Sequence, residues 1–392
     1  MSKADGHGPA VPRRLPGLDG LRAIAIALVI VHNYRHKVDG RLSSLRGGYV
    51  GVTLFFVISG FLITALLLVE HDTTGRVRFG AFYVRRAFRL LPALLLALGF
   101  LLVLGWATGL PWGPQMIRSA TVLGYVFNWW HGSQPLPNGW GPLWSLSVEE
   151  QFYVVWPLLL VGLLALIGRR HSGRARNDRV ALVITVAALI LGTWRTIAWL
   201  GGSDEAPLYN FTHFRADALL LGAAVAVVLQ SRPALFGRLR VAEPAFFPVV
   251  AAFFTLAVFG SRADPADRPG WVLGPGMTLV AVLGLLMTVL AVAAPDRSWT
   301  RRALDARPAV WVGTRSYGIY LIHGAMAAAV SSAVGHGGGM VAGASLVLTL
   351  VAAEASYRWV EQPLLRRVPV WARRTTPAIE APAPVGAAAA GG

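Results

Sequence analysis

Long uninterrupted apolar runs constrain this sequence more than any other feature. Examples are LPALLLALGFLLVLGW from Leu91 and MTLVAVLGLLMTVLAVAA from Met277. Runs of this length suit helices that cross a bilayer better than core helices of a soluble domain. Across the chain 55% of the residues are hydrophobic and 14% are charged, whereas a soluble domain carries about a quarter charged residues. The sequence therefore predicts an all-α polytopic transmembrane helical bundle.

Ten segments are predicted to cross the membrane, and the basic residues set their orientation. The segments are residues 20–38, 48–69, 88–108, 150–168, 180–200, 213–230, 245–260, 274–293, 309–333 and 340–361. With the N-terminus inside, the cytoplasmic segments hold 24 of the 36 Lys and Arg residues and the outer loops hold 7. This asymmetry is the positive-inside pattern, and it predicts that both termini are cytoplasmic. We expect a multi-pass protein of the cytoplasmic (inner) membrane of a bacterium.

Charge and composition exclude several other classes of protein. The net charge of +17 follows the membrane topology, so we expect lipid and no nucleic acid as a partner. The chain has no cysteine, which excludes disulfides and thiolate chemistry, and no metal site is predicted. The first apolar run has no small-residue cleavage site, so we expect it to remain as an anchor.

The predicted domain organisation has three parts. Residues 1–17 are polar and contain Pro and Gly, and we expect a disordered cytoplasmic N-terminus. Residues 18–367 form the transmembrane domain. Residues 368–392 are predicted to be a low-complexity cytoplasmic tail, because most of this segment is Ala, Pro and Gly.

Ionisable residues inside membrane segments are costly and are therefore candidates for function. His32 follows Arg22 by ten residues in the first span, and Glu149 and Glu150 stand where the fourth span begins. The predicted topology places His32 and the two carboxylates at the same depth, towards the outer face. A carboxylate bonded to an imidazole sets its tautomer and raises its basicity, as in a general base or nucleophile. The alternative is a polar pair that links two helices.

A second candidate group lies at the cytoplasmic end of the third span. Arg85, Arg86 and Arg89 occur in FYVRRAFRLLPAL. They either enforce topology and contact anionic lipid headgroups, or bind the phosphates of a ligand.

Four further polar residues are candidates for substrate binding. Ser145 and Ser147 precede the two carboxylates and are placed to position a substrate or to contribute to an oxyanion site. Arg215 and Asp217, in HFRADALLLG of the sixth span, either bind substrate or support the architecture.

Seven motifs occur in this order along the chain: LDGLRAIAIALVIVHNY, GVTLFFVISGFLIT, FYVRRAFRLLPAL, WSLSVEEQFYVVWP, FRADALLLGA, SYGIYLIH and EASYRWVEQPL. Together they resemble the acyltransferase 3 family of membrane O-acyltransferases over about residues 15–367. The resemblance implies transfer of an acyl group, usually acetyl, from cytoplasmic acyl-CoA to a hydroxyl of an envelope saccharide or a small-molecule glycoside. Acyl-CoA would be a co-substrate, with no bound cofactor.

The resemblance also implies roles for particular residues. Arg22 and His32 match the Arg–His pair of the first span, the arginines of the third span match a cluster suited to CoA phosphates, and Glu149 and Glu150 match the carboxylates of the SLSVEEQFY signature. The family pair is usually separated by ten residues, and here nine separate Arg22 from His32. Asn33 occupies the expected position. One residue turns a helix by about 100°, so His36, nearer to the face of Arg22, is a second candidate.

Two functions of other classes fit the same pattern of spans. A transporter or flippase for a lipid-linked saccharide would use polar residues at both ends of such a bundle, but the sequence has no inverted repeat and no paired broken helices. A non-catalytic membrane scaffold would leave His and Glu substitutions without effect on any reaction.

Overall fold

The fold is helical throughout the part of the chain that the computed structural model describes. This part comprises residues 15–34, 48–131, 139–259, 270–335 and 338–373. Residues 1–14 of the N-terminus predicted to be disordered (1–17), and residues 374–392 of the predicted tail (368–392), lie outside it. The helices are α1 (Leu18–Tyr34), α2 (Gly48–Thr74), α3 (Phe79–Ala107), α4 (Trp112–Leu123), α5 (Phe127–His131), α6 (Trp144–Gly168), α7 (Gly173–Leu200), α8 (Glu205–Asn210), α9 (Thr212–Ser231), α10 (Leu235–Val241), α11 (Phe246–Phe259), α12 (Pro275–Ala293), α13 (Trp299–Leu304), α14 (Arg307–Val334), α15 (Gly339–Ser356) and α16 (Gln362–Arg366).

The polytopic helical bundle predicted from the apolar runs is confirmed. Within the described residues, eight helices are long and apolar enough to cross a membrane, and a ninth candidate is the pair α10 and α11, which meet at a 60° bend. Helix α1 has 17 residues and is also largely apolar. Each of the ten predicted spans coincides with one of these helices, while their number and the orientation of the termini stay predictions.

Helix α2 lies at the centre of the bundle and packs against α1, α9 and α12. Its contact with α9 depends on two glycines. Gly60 of α2 lies against the backbone carbonyl of Leu219, and Gly222 of α9 lies against the carbonyl of Val57. Small residues at such crossings let two helix backbones approach each other closely within a membrane.

Helices α1, α2 and α14 set the frame of the candidate site. Helix α14 runs parallel to α1: Gly313 lies against the backbone of Asp19 near the start of both helices, and the hydroxyl of Tyr34, the last residue of α1, donates to the His323 carbonyl (3.0 Å) past the middle of α14. Helix α2 runs antiparallel to α1, because Gly51 contacts the carbonyl of Ala25 while the first residue of α2 contacts the end of α1.

Helix α6 begins inside the bundle. Before it, Gly139 has a φ of +98° and lies so close to α14 that a Cβ there would stand 3.1 Å from the Ala325 Cα. Trp140 and Trp144 are 1% and 3% exposed. Ser145 then bonds to Tyr320, the fourteenth of the 28 residues of α14. The first turn of α6 therefore lies about halfway along α14, deeper than the sequence predicted.

The packed part of the chain extends beyond the predicted domain end at residue 367. Val368 and Ala372 are buried, and they pack against Ala81, Val84 and Phe88 of α3. The first six residues of the predicted tail, 368–373, therefore belong to the folded domain.

Candidate active site

A cavity of about 620 Å³ with both apolar and charged walls lies between α1, α2, α3, α6 and α14. This volume falls within the range of small-molecule sites, about 300–1,000 Å³. The charged residues and hydroxyl groups that line the cavity come from all five helices and from the chain after α15: Asp19, Arg22, Ser59, Arg85, Arg86, Arg89, Ser145, Glu149, Tyr153, Thr314, Ser316, Tyr317, Tyr320, Tyr357, Glu361 and Arg373.

All three arginines predicted on α3 line this cavity, together with Arg22 of α1. We call this group, Arg22, Arg85, Arg86 and Arg89, the arginine end. Arg22 lies 3.6 Å from the Asp19 carboxylate, and Arg85 lies 3.3 Å from that of Glu70. Arg89 is exposed to the cavity and has no ion-pair or hydrogen-bond partner among the residues the structure describes. Arg89 therefore presents to the cavity a guanidinium that forms no ion pair with a described carboxylate.

Glu149 and Glu150 lie beside the arginines, and their carboxylates make different contacts. Glu150 is 7% exposed, and its Oε1 accepts from Arg86 Nη2 at 3.3 Å. Glu149 faces the cavity, where its two oxygens accept from the hydroxyls of Ser59 (3.3 Å) and Tyr153 (3.1 Å). Successive residues on a helix point about 100° apart. The carboxylate of Glu150 therefore lies in a buried ion pair, whereas that of Glu149 forms part of the cavity wall.

The prediction that Glu149 or Glu150 pairs with His32 at the same depth is wrong in this structure. The side chain of His32 lies against Gly48, the first residue of α2, whereas Glu149 bonds to Ser59 of the same helix. Ser59 is the eleventh residue after Gly48, which corresponds to about 16 Å along the helix axis. The reason is the deep start of α6, which carries both carboxylates inwards to the arginines.

The cavity nevertheless runs towards His32. Along α2 its lining extends from Leu66 at the arginine end to Val52, about 21 Å at 1.5 Å per residue. Val52 is four residues, about one helical turn, from Gly48, against which His32 packs. His32 itself does not line the cavity. The structure thus places an imidazole about one turn beyond its far end; the second candidate, His36, lies outside the described residues.

Of the two predicted serines, Ser145 alone lines the cavity. Its hydroxyl lies 2.5 Å from that of Tyr320, which in turn donates to the Pro142 carbonyl at 2.7 Å. Ser147 is 1% exposed, and its Oγ has no hydrogen-bond partner among the described residues. The two side chains point to different sides of α6, so only Ser145 is in position to contact a ligand in the cavity.

Arg215 and Asp217 lie outside the cavity, in the interior between helices. Asp217 pairs with Arg195 of α7 at 2.8 Å, and Arg195 is fully buried. Arg215 donates to the hydroxyl of Thr53 at 2.8 Å and lies behind Phe56, whose ring is 5.4 Å from the guanidinium carbon. The contacts of both residues join α9 to α2 and α7, and the predicted role in substrate binding stays a prediction.

Several cavity residues were not predicted from the sequence. Tyr153 follows Glu149 by four residues, and the helical period could have indicated this pair. Ser59, Tyr320 and Arg373 come from other parts of the chain and carry no local signal. No group of three metal-binding side chains occurs among the described residues. The groups that the cavity offers are thus anion-binding guanidiniums, the carboxylates of Asp19, Glu149 and Glu361, and hydroxyls.

These features define a class: a polytopic helical membrane protein whose bundle encloses an arginine-lined cavity. Comparison with known proteins makes the class specific. A family model described as an acyltransferase domain matches residues 15–357, and the chain belongs to this acyltransferase 3 family. The resemblance predicted from the seven motifs is thereby confirmed.

Two curated relatives match along most of the chain. An O-acetyltransferase, OatA, of Staphylococcus aureus (strain NCTC 8325 / PS 47) is 31% identical over 382 residues, which cover 91% of this chain and 58% of the relative. The peptidoglycan O-acetyltransferase OatA of Listeria monocytogenes is 29% identical over 370 residues, 89% of this chain and 56% of the relative. The chain thus spans somewhat more than half the length of these relatives. No solved structure matches it.

Proposed function

We propose that this protein is a membrane O-acetyltransferase that moves an acetyl group from cytoplasmic acetyl-CoA to a hydroxyl of an envelope saccharide or a small-molecule glycoside. The observation that carries the proposal is the cavity, which begins among four arginines and extends along α2 to within one turn of Gly48, the contact of His32. The names of the relatives, one of them a peptidoglycan O-acetyltransferase, favour a saccharide acceptor. We place the protein in the inner membrane with both termini in the cytoplasm.

The donor would bind at the arginine end. Guanidinium groups form charge-assisted, often bidentate, hydrogen bonds with phosphate oxygens, and Arg89 has none of its donors engaged by a described residue. With the phosphates held there, the thioester arm would extend along the α2 side of the cavity, past Ser59 and towards Ser145 and Val52. Phe55 and Phe56 supply apolar surface on this route.

His32 is the proposed general base or transient acyl carrier. As a base it would remove the proton of the acceptor hydroxyl while the oxygen attacks the thioester carbonyl; the C–S bond breaks, and the CoA thiolate is finally protonated. As a carrier, its imidazole nitrogen would attack the thioester carbonyl, and the C–S bond would break to release the CoA thiolate. The acceptor oxygen would then take the acetyl group from the nitrogen, and the proton of the hydroxyl would be left to the thiolate. Glu149, whose carboxylate lies on the cavity wall, is the rival base.

The experiment supplies acetyl-CoA with a labelled acetyl group to membranes that contain the protein and to matched membranes that lack it. Label in the saccharide fraction only when the protein is present supports the proposal. Equal labelling in both membranes contradicts it. A flippase for a lipid-linked saccharide would move the saccharide across the bilayer without consuming acetyl-CoA, so the same assay separates the two functions.

A further inference from the structure

Part of the cavity wall comes from beyond the family match. The family model ends at residue 357, yet Glu361, Leu365, Val368 and Arg373 line the cavity. Val368 and Arg373 belong to a segment, residues 368–373, that packs on the first turns of α3. We call it the C-terminal strap.

Arginines at the start of α3 donate hydrogen bonds to the backbone carbonyls of the C-terminal strap. Arg85 Nη1 donates to the Ala372 carbonyl at 2.9 Å, while its Nη2 lies 3.3 Å from Glu70. Arg78 donates to the carbonyls of Trp371 (3.4 Å) and Arg373 (3.3 Å). The strap therefore holds a fixed position beside the arginine end.

Arg373 itself carries a charge that no described residue neutralises. Its Nε donates to the Val368 carbonyl at 2.9 Å and its Nη2 to the Arg366 carbonyl at 3.1 Å. These two bonds orient the guanidinium and leave its other N–H donors unused, since an Arg side chain has five. No carboxylate lies within ion-pair distance of Arg373 among the described residues, although the side chain lines the cavity.

We propose that Arg373 binds a phosphate group of the acyl donor, next to Arg85 and Arg89. The inference rests on the proposed function, because it takes acyl-CoA as the donor. A guanidinium that is held in place by two backbone carbonyls and borders the same cavity as Arg89, which also has no ion pair with a described residue, offers a preorganised, bidentate contact for a phosphate. The C-terminal strap thus belongs to the donor site as well as to the packing of α3.

Equilibrium binding of acetyl-CoA to the full chain in detergent tests this inference. Because the variant loses a charge-assisted hydrogen bond to the phosphate, we expect Arg373→Ala to raise the Kd for acetyl-CoA about tenfold or more. Arg373→Lys should restore part of the affinity, because Lys supplies the charge without the planar fork. The matched control is Arg367→Ala: it removes the same charge from an exposed position nearby that does not line the cavity, and should leave Kd unchanged.

A second ligand separates phosphate binding from a structural role. S-acetylpantetheine lacks the nucleotide and its phosphates, and we expect Arg373→Ala to bind it as the wild type does. Equal affinity of the Arg373→Ala and Arg367→Ala variants for acetyl-CoA would overturn the inference alone, as would a matching loss of S-acetylpantetheine binding. A wild-type protein that binds no acetyl-CoA would overturn the proposed donor and the inference together. Thermal unfolding of each variant shows whether it is folded.

Discussion

The guanidinium of Arg86 on α3 lies 3.3 Å from the carboxylate of Glu150 on α6, and its carbon lies 3.2 Å from the centre of the Tyr153 ring. This contact joins two motifs that are about 60 residues apart in the sequence, FYVRRAFRLLPAL and WSLSVEEQFYVVWP. The predicted donor-binding arginines and the predicted catalytic carboxylates thus form one site. Glu150 is engaged by Arg86 and does not line the cavity, so Glu149 is the one of these two carboxylates that can contact a ligand there.

Glu150→Gln should destabilise the protein strongly. The substitution leaves the Arg86 charge in the bundle without its partner, and breaking a buried ion pair in this way costs about 3–5 kcal/mol. Thermal or denaturant-induced unfolding in detergent measures the loss. The double variant Arg86→Met/Glu150→Leu removes both charges and should recover much of the stability. A Glu150→Gln protein as stable as the wild type would show that the pair contributes little.

His32→Ala should reduce acetyl transfer at least about a hundredfold, the usual contribution of a general base, while the protein still inserts and accumulates. The matched control is Asn33→Ala. Asn33 occupies the position expected for the family His, but its Nδ2 donates to the Val29 carbonyl of its own helix at 2.9 Å, so its loss should leave transfer intact. Initial rates with labelled acetyl-CoA measure both effects. Undiminished transfer by His32→Ala would exclude His32 and leave Glu149 as the base.

The apolar runs were sufficient to predict the helices and the bundle, because a membrane-spanning helix needs about 20 consecutive residues that are predominantly apolar. The clustering of Arg85, Arg86 and Arg89 was predictable too, since all three lie within two turns of one helix. The depth of Glu149 in the bundle was not predictable from the sequence. Positive-inside counting assigns each loop to a side but cannot detect a helix that begins within the bundle, as α6 does after the close approach of Gly139 to α14.

Arg215 and Asp217 illustrate a second limit. A charge within a span indicates a functional site by default, but its meaning depends on the partner, and the partner of Asp217 lies on another helix. Nothing in HFRADALLLG shows that this carboxylate forms an ion pair with Arg195, or that Arg215 donates a hydrogen bond to Thr53 on α2. The same residue types would suit substrate binding equally well.

Asp217→Asn distinguishes the architectural role from substrate binding. Because Arg195 is fully buried beside this carboxylate, we expect a loss of stability of about 3 kcal/mol or more, seen as a lower unfolding temperature and lower accumulation in the membrane. The folded fraction should keep the KM of the wild type for the acceptor. A raised acceptor KM with unchanged stability would instead support the substrate-binding prediction.

The predicted topology can be tested with single cysteines, because the chain has no native cysteine. Arg76 lies between α2 and α3, on the predicted cytoplasmic side, and Asp204 lies between α7 and α8, on the predicted outer side; both are exposed. In intact cells, a membrane-impermeant maleimide should label Asp204→Cys and should label Arg76→Cys only after lysis. The reverse pattern would place the arginine end of the cavity outside and remove its access to cytoplasmic acyl-CoA.

The crossing of α2 and α9 should be sensitive to a single methyl group. In Gly60→Ala the new Cβ would overlap the Leu219 carbonyl, and in Gly222→Ala it would overlap the Val57 carbonyl, so the two backbones must separate. Overpacking of this kind costs about 1–3 kcal/mol, and we expect each variant to unfold at a lower temperature.

The control is Gly99→Ala on α3, where a Cβ meets no atom within 4 Å. There the better helix propensity of Ala should raise stability, by up to about 1 kcal/mol. Because Ser59 and Phe56 line the cavity from positions next to Gly60 and Val57, the crossing variants should also lose acetyl-CoA affinity. Unchanged stability in both crossing variants would contradict the close contact of α2 and α9.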